Sequence, residues 1–181
     1  DIKTFIRAMR RVANQMPEAQ GWIAGPEDED QAYAQECRDL VRSLGLEKHV
    51  LFLGFQKIDD LMPKIGLTIL SSISEALPLV ILEGYAAGVP TISTDVGSCR
   101  QLIEGLDDED KAIGASGAVV NIADPQALAD ASLRLLGNPE AWQAASEAGI
   151  ARVERYYTDE LMFGRYRKVY ENALQQDKGN N

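Results

Sequence analysis

The chain has 181 residues, 45% of them hydrophobic and 25% charged, an ordinary composition for a single globular domain with a real core. A net charge of −10 excludes the basic footprint of a nucleic-acid binder and works against docking on anionic membranes. No segment reads as a bilayer span of ~20 apolar residues or as a signal peptide, and with two cysteines in no metal or redox spacing the expected compartment is the cytoplasm.

Ile2, Phe5, Ile6, Met9, Val12, Ala13 and Met16 recur on one helical face. Because that pattern is under way at Asp1, the chain is expected to be a piece of a longer polypeptide. Gly21-Trp22-Ile23-Ala24-Gly25 is a short apolar run closed by glycines, hence a buried strand. The next helix turns Tyr33, Cys37, Leu40, Val41 and Leu44 inward, and Gly45 ends it. A second strand covers 50–53 and ends at Gly54. A short amphipathic turn (Ile58, Leu61, Met62, Ile65) leads to a third strand at 67–70.

A helix over 78–87, a strand over 89–93, a helix over 99–104 and a strand over 118–120 follow. Asp124-Pro125 and Asn138-Pro139 each pair a cap with a proline suited to the first helical position. Thr158 caps a last helix, and residues 176–181 form a polar tail beyond a domain of residues 1–175. His49 and the two tryptophans read as structural. Wholly apolar strands alternating with amphipathic helices predict an α/β fold, a doubly wound parallel sheet of Rossmann-like type. Ligands of such sheets bind at the carboxyl ends of the strands.

One stretch carries chemistry. Ser71-Ser72-Ile73-Ser74-Glu75-Ala76-Leu77-Pro78-Leu79-Val80-Ile81-Leu82-Glu83-Gly84 leaves a strand at its carboxyl end and enters a helix. The first helical turn offers unpaired N–H groups, a ready anion site. Two ionised carboxylates beside it are strong acceptors for hydroxyl-rich ligands. On spacing alone, a dipole partner at Glu75 and a solvated helix face at Glu83 are the more usual readings.

The same stretch, with Ala87-Gly88-Val89-Pro90-Thr91-Ile92, Asp95-Val96-Gly97 and the upstream Val50-Leu51-Phe52-Leu53-Gly54-Phe55, resembles the E-x7-E region of family 4 retaining glycosyltransferases. Ala76 departs from the glycine that many relatives have there. The resemblance covers most of the chain and implies the carboxyl-terminal, nucleotide-sugar-binding domain of a GT-B enzyme, with a GT-B-type sugar-nucleotide epimerase or a non-catalytic sugar-nucleotide-binding module as the alternatives. It assigns Glu75 to donor-sugar hydroxyls near the anomeric carbon and Glu83 to the ribose. Backbone N–H groups of Leu79 and Val80 would hold the diphosphate, Gln56 and Lys57 would border the base, and Gly97 and Ser98 would approach the ligand. The substrate implied is a UDP-sugar, with no metal and no other cofactor.

Asp1-Ile2-Lys3-Thr4-Phe5, residues 95–105 and Arg152-Val153-Glu154-Arg155-Tyr156-Tyr157 further resemble the cytoplasmic glycosyltransferases of bacterial Pel exopolysaccharide systems. That implies inner-membrane Pel components as partners, beside an amino-terminal acceptor domain. The family's cationic pair would lie before Asp1, so the chain alone is expected to be inactive. Residues 106–117 read as a long, acidic, solvated loop. In the sheet order 3-2-1-4-5-6 the absent element is strand 1, so the strands at 22–25 and 67–70 are expected to flank a gap.

Overall fold

The structure, a computed structural model, describes residues 1–179, with side chains through residue 174. Helix α1 (Ile2–Gln15) begins at Asp1, whose carboxylate accepts from Thr4 N at 3.1 Å. Its Ile6, Met9 and Val12 are buried on the predicted face. Strand β1 (Gly21–Ala24) and strand β2 (Val50–Gly54) pair in parallel on either side of α2 (Gln31–Ser43) in the sequence. The expected amphipathic turn is α3 (Ile58–Leu61) run on into a 3-10 turn (Met62–Lys64).

Strand β3 (Thr68–Leu70), helix α4 (Leu79–Ala86), strand β4 (Thr91–Thr94), helix α5 (Cys99–Glu104), a short α6 (Asp108–Lys111) and strand β5 (Gly117–Val120) follow. The strands form a second parallel sheet in the order β3-β4-β5. Its middle strand β4 is buried at all four residues, as a strand covered on both faces should be. Helices α7 (Pro125–Leu136) and α8 (Pro139–Tyr156) start at the two predicted cap-proline pairs, with Asp124 and Asn138 accepting from Ala127 N and Ala141 N. Helix α9 (Asp159–Gly179) opens at Thr158 and continues into the expected tail; Asn180 and Asn181 lie outside the described residues.

One apolar cluster joins α1, α2 and α7 to the sheet through Ile6, Val12, Cys37, Val41, Ile92 and Leu128. A second, Ile81, Tyr85, Val96, Cys99 and Leu102, lies under α4 and α5. The doubly wound α/β reading therefore holds, and so does the gap. β1 and β3 belong to separate sheets, with a cavity of about 840 Å³ lined by both strands.

The acidic segment is the main correction. Its Asp110 is buried and ion-paired to Arg152 of α8, Nε to Oδ1 at 2.6 Å. The remaining N–H groups of Arg152 reach Ile103 O and Ser116 Oγ (both 3.1 Å), Asp110 O (3.1 Å) and Gly114 O (2.8 Å). Every donor of the guanidinium fork is thus satisfied. Asp110 also accepts from Leu106 N at 2.9 Å, so the segment, exposed along most of its length, is pinned to the domain through Asp110.

Candidate functional site

The loop over 71–78 leaves the carboxyl end of β3 and enters α4. Pro78 stands just outside the helix, at the N-cap, and not at the first helical position that the sequence suggested. Having no side-chain acceptor, it leaves the first turn uncapped. The amides of Leu79 and Val80 therefore have no intrahelical partner, and Leu79 is 62% exposed. These are the donors an anion at this helix end would meet, with the positive end of the helix dipole behind them.

Glu75 is half-buried, and its Oε1 accepts from Ser72 Oγ at 2.7 Å. Ser72 is itself fixed, because its carbonyl accepts from the buried Thr94 Oγ1 at 2.6 Å. The far side of the loop is held by the turn after β4, where Ser98 N donates to Ala76 O at 2.9 Å. Gly97 makes that approach possible. It has φ +50°, and a Cβ there would stand 2.3 Å from Glu75 O and 2.7 Å from Ala76 O. The structure thus brings Glu75, Gly97 and Ser98 together, with the glycine admitting protein backbone.

Glu83 lies further along α4 and is exposed. The neighbouring Gly84 packs close to β3, with Thr68 Oγ1 3.1 Å from where its Cβ would be. Gln56 and Val80 line the cavity between β1 and β3, together with Ser71 and Ser72. The Gln56 side chain turns back to Leu53 O (2.8 Å), and Lys57 stands exposed at the N-cap of α3. Lys57, Leu79, Glu75, Glu83, Gly97 and Ser98 do not line that cavity.

Sequence reasoning missed Ser72 and Thr94. A serine three residues before Glu75 was in view, but Thr94 enters only through the register that sets Leu70 beside Ser93. Asp95 is paired with Arg100 at 2.7 Å, and Arg100 also holds Glu104 at 2.9 Å. His49 is structural as expected, its Nδ1 lying 3.1 Å from Ala19 O. A smaller cavity of about 470 Å³ lies at the ends of β1 and β2 beside the Arg38–Glu27 pair (2.5 Å), with the Arg38 guanidinium 4.4 Å from the centre of the Phe52 ring. It shares Pro26 and Phe55 with the larger cavity but contains none of the candidate residues. Among the described residues no three His, Cys, Asp or Glu side chains gather as metal ligands would, and no helix is long and apolar enough to cross a membrane.

Comparison with known proteins supplies the rest. The chain is 31% identical over 140 residues to N-acetyl-alpha-D-glucosaminyl L-malate synthase of Bacillus anthracis, a match covering 77% of this chain and 35% of that protein. Against the lipopolysaccharide core biosynthesis mannosyltransferase LpsB of Rhizobium meliloti the shares are 79% and 39% at 28% identity, so the chain spans little more than a third of these curated relatives. Among solved structures, the C-terminal domain of the group 1 glycosyl transferase LpcC from Francisella tularensis superposes with a TM-score of 0.73 at 24% identity, covering 87% of this chain and 80% of that one. At this identity the superposition shows the fold, that of a GT-B carboxyl-terminal domain. The model of the family described as "Glycosyl transferases group 1" matches residues 1–152, so the chain belongs to that family.

Proposed function

We propose that this chain is the donor-binding domain of a retaining family 4 glycosyltransferase that transfers a hexosyl group from a UDP-sugar. The observation that carries the reading is the uncapped start of α4 beside a Glu75 held by Ser72. The amides of Leu79 and Val80 take the diphosphate, and Glu75 takes sugar hydroxyls near the anomeric carbon. Glu83 takes the ribose hydroxyls, while the backbone of Gln56 and Lys57 borders the base. As the glycosidic bond to the diphosphate breaks, negative charge grows on the leaving oxygen, and preorganised N–H donors stabilise it. The donor needs no metal on this reading.

Support for the nucleotide comes from a fold neighbour, Anabaena HepE, whose structure was solved with UDP and glucose (TM-score 0.76, 22% identity, 91% of this chain and 44% of that one). On this reading the whole enzyme also has an amino-terminal acceptor-binding domain. The resemblance to Pel-system enzymes supports a role in bacterial exopolysaccharide synthesis, in the cytoplasm, with inner-membrane components of that system as partners.

Calorimetric titration of the 181-residue chain against UDP, UDP-sugars, GDP and ADP tests the reading. Preferred binding of the uridine ligands, with no transfer to any acceptor, is the expected result. Tighter binding of GDP or ADP overturns the nucleotide, and turnover by the chain alone overturns its description as half a site.

A further inference from the structure

The loop that carries Glu75 is gripped at both of its ends by a single segment, residues 94–98. Thr94 Oγ1 donates to Ser72 O at 2.6 Å, and Ser98 N donates to Ala76 O at 2.9 Å. Gly97, between these grips, lies so close to the backbone of Glu75 and Ala76 that no Cβ would fit. Packed at that distance, the loop must follow any small shift of the segment. What places residues 94–98 therefore also places Glu75.

Backbone bonds set the course of the segment: Asp95 N to Val120 O, Val96 N to Thr94 O and Cys99 N to Val96 O. The Val96 and Cys99 side chains are buried. Ser98, at the N-cap of α5, makes no side-chain cap bond, so the segment is not tied to the helix there. Arg100 supplies that tie. Its Nε and Nη2 donate to Asp95 (3.2 and 2.7 Å), and its Nη1 donates to both oxygens of Glu104 (2.9 and 3.0 Å). A lone exposed ion pair restrains little, but a planar fork shared by two carboxylates fixes orientation as well as distance. With two carboxylates to one guanidinium, the cluster repels a diphosphate rather than binding it. Its contribution is geometric.

We propose that Arg100 is a positioning residue for the sugar subsite. By bracing Asp95 against α5 it fixes residues 94–98, and through Thr94 Oγ1 and Ser98 N it fixes the loop that presents Glu75. It touches no substrate itself. The proposal rests on the sugar-binding role of Glu75 and adds the brace that sets its place.

Calorimetric titration of the 181-residue chain with a UDP-sugar and with UDP compares the wild type with Arg100→Lys, Arg100→Ala and Asp95→Ala. Lysine keeps the charge and loses the fork. All three variants are expected to bind the UDP-sugar about fivefold more weakly. UDP, which reports that each variant is folded, is expected to bind them as it binds the wild type. The amide resonances of Glu75 and Ala76 are expected to move in the variants before any ligand is added. If Arg100→Lys matches the wild type while Arg100→Ala weakens and Asp95→Ala strengthens binding, charge alone is at work and the proposal is overturned. Equal losses for UDP and the UDP-sugar overturn it as well. A wild type that binds no UDP-sugar defeats the donor reading and this proposal together. A wild type that binds it no better than the variants do defeats only the proposal.

Discussion

Glu75 illustrates how a residue readable in the sequence acquires its precision from residues that are not. Its place between a strand end and a helix start is visible from Ser71 to Glu83. The Thr94–Ser72–Glu75 relay is not, because it depends on which residue of β4 lies beside the end of β3. An accepted hydrogen bond to a carboxylate contributes about 1.5–3 kcal/mol, so Ser72→Ala frees Glu75 to rotate. On the proposed reading, affinity for a UDP-sugar should fall roughly tenfold while that for UDP is unchanged, since UDP lacks the donor sugar assigned to Glu75. Equal losses for both ligands in a calorimetric titration would remove Glu75 from the sugar subsite. Tyr85 is a second residue-scale case. Burial pushes its phenol from 10.0 up to about 12, and the nearby Ser116 and Thr91 hydroxyls offset only part of the rise, since Oη makes no hydrogen bond of ordinary geometry. The native state therefore holds this proton more tightly than the unfolded chain. The preference costs nothing below pH 10 and lowers stability as the pH rises from about 10 toward 12. Tyr85→Phe should leave urea stability at pH 7 nearly unchanged and be the more stable protein at pH 11.

At the scale of elements, most of the fold was legible because periodicity and caps report local structure directly. The α1 face, the Asp124-Pro125 and Asn138-Pro139 helix starts and Gly45 after α2 (φ +64°) stand where the sequence sets them. The segment over 106–117 defeated the same reasoning. A run of acids reads as solvated unless its one buried member is known to meet a cation some forty residues away. The corner also depends on Gly117, where φ is +155° and a Cβ would stand 1.7 Å from Thr91 O. Removing one partner of a buried ion pair leaves the other charge uncompensated, so Arg152→Ala should destabilise the chain by about 3–5 kcal/mol in urea unfolding. A loss below about 1 kcal/mol would return the segment to the solvated loop of the sequence reading.

For the whole molecule, the strand order and the separation of β1 from β3 match what the resemblance and the doubly wound order 3-2-1-4-5-6 led the sequence reading to expect. The cavity there joins two half-sheets whose carboxyl ends hold opposite parts of the candidate site: Gln56 and Lys57 after β2, and residues 71–83 after β3. The central claim is that one nucleotide sugar bridges these parts. Chemical-shift mapping of the 181-residue chain with a UDP-sugar tests it most directly. The account predicts saturable shifts at the amides of Gln56, Lys57, Leu79, Val80, Gly97 and Ser98 together. Shifts confined instead to the smaller cavity around Arg38, or no saturable shift at all, would contradict it.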